Sequence, residues 1–125
     1  MKVWKLVSLA AVVAAVAMFG VAQADEHKHG DESGLVTVKG EVLDMGCYLD
    51  HGAKGEKHAA CAKTCIESGL PVGIKGEDGK TYLLIGDHKP LNKELAEYAG
   101  KTITVKGKAV ERDGIHMIAN VVIVK

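Results

Sequence analysis

The stretch ITVKGKAVERDGIHMIANVVI, residues 103–123, carries the clearest structural pattern in the chain. Apolar residues alternate with polar ones on both sides of Asp113-Gly114, and this period of two is typical of half-buried strands. An Asp-Gly pair between two such runs favours a tight turn. We therefore predict a β-hairpin in which each strand presents one buried face. The residues assigned to that face are Ile103, Val105, Gly107, Ala109, Ile115, Met117, Ala119, Val121 and Ile123.

The rest of the chain, read outward from this hairpin, predicts three more strands and two helices. The order is strand, helix, strand, strand, short helix, strand, strand. Five strands with a helix between the third and the fourth predict a mainly-β OB-fold, a small Greek-key barrel, with a helical insertion between strands one and two. The predicted segments are a strand at 35–44, a loop at 45–55, a helix at 56–68, strands at 71–75 and 81–85, and a short helix at 91–98.

The tetrapeptide Thr-Val-Lys-Gly occurs twice, at 37–40 and at 104–107. Each copy places a glycine in the middle of a predicted strand, where long barrel strands need a sharp bend. Four residues are too few to indicate a duplication. We interpret the repeat as two strands that share the same curvature.

The first residues differ in kind from the rest. Residues 1–5 are basic, residues 6–21 are almost wholly apolar, and Ala22-Gln23-Ala24 has the small-x-small pattern of a cleavage site. This pattern predicts a secretory signal peptide at 1–24, followed by a disordered polar leader at 25–34 and an OB-fold domain at 35–125. We expect a soluble periplasmic or secreted protein with no stable membrane anchor after cleavage.

Charge and aromatic content argue against nucleic acid as a partner. The chain has 16 basic and 16 acidic residues, so removal of Lys2 and Lys5 with the signal peptide leaves 14 against 16. Only Tyr48, Tyr82 and Tyr98 remain as aromatic residues. Nucleic-acid binding needs basic stripes and stacking platforms, and this composition has neither.

The most informative feature is a cluster of metal-ligating residue types within nineteen positions. At about 100° per residue, His58, Cys61 and Cys65 share one helix face, and the preceding loop can fold Cys47 back onto them. Thiolates combined with imidazole select Cu(I) or Zn(II). We predict a metal site that carries or buffers the ion, with copper favoured over zinc because of the expected export. Its predicted ligands are Cys47, His51, His58, Cys61 and Cys65.

These motifs resemble small exported bacterial OB-fold proteins of largely uncharacterised function. The resemblance covers Val-Lys-Gly-Glu-Val-Leu-Asp at 38–44, Cys-Tyr-Leu at 47–49, His-x-x-Cys-x-x-x-Cys at 58–65, Gly-x-Pro-Val-Gly at 69–73 and the final hairpin. It implies an OB-fold whose insertion after the first strand bears the Cys and His residues. The spacing of Cys61-x-x-x-Cys65 is also similar to that of the cysteine pair in Sco-type copper chaperones. The similarity is limited to this spacing, since the thioredoxin-like fold and the distant His of those proteins are not found here.

A second metal site is predicted at the processed N-terminus. Cleavage after Ala24 would leave Asp25-Glu26-His27, whose free amine, backbone amides and imidazole form a square-planar Cu(II) site. Such an N-terminus resembles the amino-terminal copper site of serum albumins.

The three cysteines are also compatible with functions other than metal binding. A structural disulfide can join any two of Cys47, Cys61 and Cys65, since an exported protein meets an oxidising environment. A thiol-disulfide redox protein would cycle Cys61 and Cys65, with Cys47 as the resolving residue. A non-catalytic adaptor would bind a periplasmic protein partner through the barrel face. Covalent haem is excluded because no Cys-x-x-Cys-His motif is present, and no hydrolase or kinase motif indicates an enzyme.

Overall fold

A computed structural model describes residues 34–124 of the chain. The predicted signal peptide, residues 25–33 of the leader and the N-terminal copper site at Asp25, Glu26 and His27 lie outside the described residues. The strands are β1 (Leu35–Asp44), β2 (Val72–Gly76), β3 (Thr81–Leu84), β4 (Thr102–Arg112) and β5 (Ile115–Val124). The α-helices are α1 (Met45–His51), α2 (Ala59–Glu67) and α3 (Asn92–Ala96), and a 3-10 turn (Glu56–His58) precedes α2.

The five strands form a closed barrel in the order β1-β2-β3-β5-β4. Strand β1 pairs antiparallel with both β2 and β4, whereas β3 and β5 run parallel. Helices α1 and α2 lie between β1 and β2 in the chain, and α3 lies between β3 and β4. The predicted mainly-β, five-stranded closed architecture is confirmed. None of the described helices is long and apolar enough to cross a membrane.

Strand β1 pairs with β4 along residues 35–41 and with β2 along residues 40–44, and Gly40 lies where the two pairings overlap. Gly40 pairs with Ile103 of β4 on one side and with Gly76 of β2 on the other. A β-carbon at Gly40 would collide with the backbone of Lys75 and Gly76, and one at Gly107 would lie 2.5 Å from the Ala119 carbonyl oxygen. These mid-strand glycines therefore permit a close backbone approach that no other residue allows.

The two Thr-Val-Lys-Gly segments are paired with each other. Val38 lies opposite Val105 in the antiparallel β1–β4 ladder, and the flanking Thr and Lys residues face one another across it. Both valines are buried in the core. The repeat thus reflects one strand pairing in which both members curve around the same core.

The core fills the barrel and extends to two helices. Val42, Ile74 and Ile118 are fully buried inside the barrel, and Ile66 of α2 and Leu95 of α3 join the same cluster. Full burial of an aliphatic side chain contributes about 1.5–3 kcal/mol each. The helices are therefore held to the barrel by apolar contacts as well as by chain connection.

The predicted buried face of β5 is wrong over its first half. Met117 and Ala119 are not in the core cluster, whereas Ile118 between them is fully buried. The cause is a β-bulge. Ala119 pairs with Lys108 and Val122 pairs with Lys106, so β5 has one more residue than β4 between these two pairs. Asn120, within the bulge, adopts a left-handed φ of 54°. An extra residue moves the alternation to the other face, and Val121 and Ile123 then pack against the core as predicted.

Candidate metal centre

The segment predicted as a loop at 45–55 contains a short helix, so that prediction is wrong for residues 45–51. The Asp44 side chain accepts hydrogen bonds from the Gly46 and Cys47 amides, both at 3.1 Å, which caps the first turn of α1. Gly52 ends the helix in the left-handed conformation at φ 72° and donates its N–H to Tyr48. A helix of seven residues is too short to show a hydrophobic periodicity in the sequence. The capping residues Asp44 and Gly52 determine where it begins and ends.

The second helix begins later than predicted. Residues Glu56–His58 form a 3-10 turn, and regular α-helix runs from Ala59 to Glu67. His58, the last residue of this turn, lines the same pocket as Cys61 but lies outside the group of three thiols. Cys61 and Cys65 lie one turn apart on α2, as predicted.

Three thiols meet at the junction of α1 and α2. The Sγ atoms of Cys47, Cys61 and Cys65 all lie within 4.8 Å of one another. Cys47 projects from the first turn of α1, and the other two lie one turn apart on α2. All three are free, so none of the predicted disulfides is formed, and Cys61 is exposed while Cys47 and Cys65 are half-buried. The centre is thus a surface site with direct access from solvent.

A buried carboxylate lies directly behind the thiols. Asp44 is only 2% exposed, and besides capping α1 it accepts hydrogen bonds from the thiols of Cys47 and Cys65. Burial by itself would raise the pKa of Asp44, but the hydrogen bonds from the Cys47 thiol and from the amides of Cys47 and Gly46 outweigh burial and lower it. Asp44 is therefore ionised at neutral pH.

The negative charge of Asp44 keeps the neighbouring thiols protonated. Its hydrogen bond from the Cys47 thiol, together with burial and charge repulsion, raises the pKa of Cys47 to about 12. Burial and the same carboxylate also raise the pKa of Cys65. An incoming cation would reverse this effect, because the carboxylate that disfavours a lone thiolate favours a bound metal ion.

The two predicted histidine ligands lie close by but outside the thiol group. His51 and His58 line the same shallow pocket as Cys47 and Cys61. His51, at the end of α1, has its Nδ1 atom 3.1 Å from the carboxylate of Asp50 and is exposed. Among residues 34–124, the close donor group consists of the three cysteines, so the structure brings together three of the five predicted ligands.

Sequence reasoning missed the roles of two acidic residues. Asp44 falls at an even position of β1, in phase with buried Val38 and Val42, so its burial is signalled by the alternation of that strand. Glu41 accepts a hydrogen bond from the Gly55 amide and so ties the segment before α2 back to β1. No local signal indicates this second contact, because the two residues are fourteen positions apart.

The geometry is close to that of a three-coordinate thiolate site. Metal–sulfur bonds of about 2.3 Å place the sulfurs of one site about 4 Å apart. The observed separations, all within 4.8 Å, require movements that side-chain rotation can supply. These residues can therefore hold one soft metal ion without rearrangement of the barrel.

Comparison of the chain with protein-family models, with curated proteins and with solved structures gives no match.

Proposed function

We propose that this protein binds one thiophilic transition-metal ion through Cys47, Cys61 and Cys65 and carries or buffers it. The observation that supports the proposal is the convergence of three free thiols, from two helices, within 4.8 Å. Soft sulfur donors select Cu(I), Zn(II) and similar ions over hard cations. The exposed position of Cys61 suits an ion that has to be received and passed on.

Copper is the favoured ion, with zinc as the alternative. Cu(I) accepts soft thiolate donors, whereas structural Zn(II) takes four ligands and would need His58, His51 or water to complete its shell. The expected export of the chain, to the periplasm or outside the cell, and the predicted Cu(II) site at residues 25–27 point in the same direction. We also propose that the barrel is an OB-fold, which the β1-β2-β3-β5-β4 order supports.

The redox and adaptor alternatives have less support. A redox cysteine needs a lowered thiol pKa, and the surroundings of Cys47 and Cys65 raise theirs. An adaptor with structural cysteines calls for a disulfide, and the three thiols are free.

Metal titration of cysteine variants tests the proposal. The reduced protein should bind about one equivalent of Cu(I) or Zn(II) in competition with a chromophoric chelator, and elemental analysis of the natively produced protein should find the same ion. Cys61→Ser removes an exposed ligand and should weaken binding by more than about a hundredfold, since even indirect ligand support is worth ten- to a hundredfold. Ala60→Ser, at the adjacent exposed position of α2, is the matched control and should bind as the parent does.

Equal affinity in Cys61→Ser and Ala60→Ser would contradict the proposal. So would natively produced protein that contains no metal and in which two of the three cysteines form a fixed disulfide.

A further inference from the structure

A row of apolar side chains crosses the outer surface of the barrel. Leu83 of β3 lies opposite Met117 of β5, and Met117 lies opposite Val110 of β4. All three are half-buried, and none belongs to the core cluster. Outward positions of a solvated barrel are ordinarily polar, so this apolar row has no explanation in the packing of the barrel.

The row forms the floor of an open groove of about 820 Å³. Ile85, Pro90 and Pro71 contribute apolar walls from the chain segments that adjoin β3 and β2. The bulge at Asn120 creates this surface, because it turns Met117 and Ala119 outward and Ile118 inward. The volume lies within the range of about 300–1,000 Å³ that is typical of small-molecule sites.

The charges around the groove have one sign. Its charged lining residues are Lys89 and Lys108, and no Asp or Glu among residues 34–124 lines it, although the carboxylate of Asp87 lies 3.9 Å from the lining residue His88. Acidic and basic residues are equal in number in the chain, so the excess of positive charge at the groove is a local feature. Within the described part of the chain, neither lysine has an ion-pair partner. An apolar floor bordered by unpaired ammonium groups is complementary to a ligand with an apolar body and one anionic end.

We propose that this groove binds an amphipathic carboxylate of the fatty-acid class. Its hydrocarbon chain would lie along Leu83, Met117 and Val110, and its carboxylate would pair with Lys108 and Lys89. This site uses none of the residues of the thiol centre, so it stands apart from the proposed metal function.

Equilibrium binding of dodecanoate, measured by calorimetry on the full chain produced in its own host, tests this proposal. Dodecanoate should bind with one site per chain, and dodecanol and dodecylammonium should bind at least tenfold more weakly, because they lack the charge that the lysines attract. Lys108→Gln should weaken dodecanoate binding at least tenfold and reduce the preference over dodecanol.

The matched control is Lys106→Gln. Lys106 is also exposed on β4, two residues away, but it does not line the groove, so its variant should retain the affinity of the parent. Met117→Glu places a negative charge on the apolar floor and should abolish dodecanoate binding. Met117→Leu keeps the floor apolar and should preserve it, which separates loss of the site from loss of folding.

Three results would overturn the proposal. The first is no binding of dodecanoate to the folded parent protein. The second is equal binding of all three twelve-carbon compounds, which indicates a non-selective apolar surface. The third is a concentration-dependent dimer that Met117→Glu dissociates, which makes a second copy of the chain the occupant of the groove.

Discussion

At the scale of single residues, Asp44 connects the fold with the thiol centre. Its carboxylate caps α1 through two backbone amides and also accepts hydrogen bonds from the thiols. Because the carboxylate is buried, its hydrogen bonds and its charge act with little screening by solvent. One side chain therefore determines both where Cys47 lies and how readily it loses its proton.

Substitution of Asp44 separates these two roles. Asp44→Ala removes the cap and should lower the free energy of unfolding by about 1–2 kcal/mol, whereas Asp44→Asn retains a capping side chain and should cost less. Both variants lack the negative charge, so the pKa of Cys47 should fall from about 12 towards its ordinary value. Urea unfolding measures the first effect, and site-resolved alkylation against pH measures the second. An unchanged Cys47 alkylation profile in Asp44→Asn would refute the assigned role of the carboxylate.

Tyr82 and Asp78 form a second polar pair whose effect depends on pH. The Tyr82 hydroxyl donates a 2.6 Å hydrogen bond to Asp78. Burial and this bond raise the pKa of Tyr82 to about 12. Burial opposes ionisation of Asp78, but the bonds from Tyr82 and the Lys80 amide outweigh it and lower the pKa of Asp78. The raised pKa of Tyr82 therefore stabilises the fold fully below about pH 10, and this stabilisation is lost as the pH rises towards 12. The lowered pKa of Asp78 stabilises the fold fully above about pH 4, and this stabilisation is lost in more acidic solution.

Tyr82→Phe should therefore lower the free energy of unfolding by about 1 kcal/mol at neutral pH. The difference from the parent should shrink below pH 4 and again above pH 10, as each partner of the parent pair changes its charge. Urea unfolding at a series of pH values measures it. A difference that stays constant from pH 3 to pH 11 would show that the hydrogen bond contributes nothing and that only packing has changed.

At the scale of elements, the insertion between β1 and β2 is held to the rest of the molecule near its middle and near its C-terminal end. Glu41 binds the Gly55 amide near its middle, and Ile66 is buried in the core near its end. The side-chain amide of Asn92, the first residue of α3, donates to the carbonyls of Ile66 and Leu70, at 2.8 and 2.7 Å. The two helices that bear the thiols are thus supported by the barrel, which favours a preformed site.

The close approach of β1 and β2 at Gly40 can be tested by substitution. Gly40→Ala should lower the free energy of unfolding by at least about 2 kcal/mol, because the added methyl meets backbone that cannot move aside. Gly46→Ala is the control: its β-carbon meets nothing closer than 3.4 Å, and alanine favours the helix. Urea unfolding of both variants measures the contrast, and equal stabilities would contradict the close strand approach at Gly40.

At the scale of the whole molecule, the three thiols join parts of the chain that are distant in sequence. Cys47 belongs to the helix that continues β1, and Cys61 and Cys65 belong to the helix that packs against α3. A bound metal ion would cross-link these parts in the folded state, whereas the unfolded chain offers no preformed site. Metal binding should therefore stabilise the fold.

The expected size of this effect follows from mass action. At a free ion concentration 100 times Kd, the stabilisation is about 2.7 kcal/mol. For a domain of this size it corresponds to a rise in Tm of about 10–20 °C. Thermal unfolding of the reduced protein with and without the ion measures the rise, which should disappear in Cys61→Ser and persist in Ala60→Ser. A Tm that does not respond to the ion would contradict a site formed only by the folded chain.

The strands, their order and the final hairpin follow from the sequence, because alternation and turn residues are local properties, whereas helix α1 was not predicted. The first strand is found at 35–44 as predicted, and the other strands differ by one or two residues at their ends. The cysteine cluster was also predictable, since two of its members lie one helical turn apart. The predicted copper site at residues 25–27 and the signal peptide remain predictions.

Which donors meet and which strand faces are buried depend on how the chain folds. His58 lies outside the group of three thiols, and the bulge at Asn120 turns Met117 from the core to the surface. The meeting of Cys47 with Cys61 and Cys65, and the contact of Glu41 with the Gly55 amide, join residues at least fourteen positions apart, and local sequence patterns do not encode such contacts.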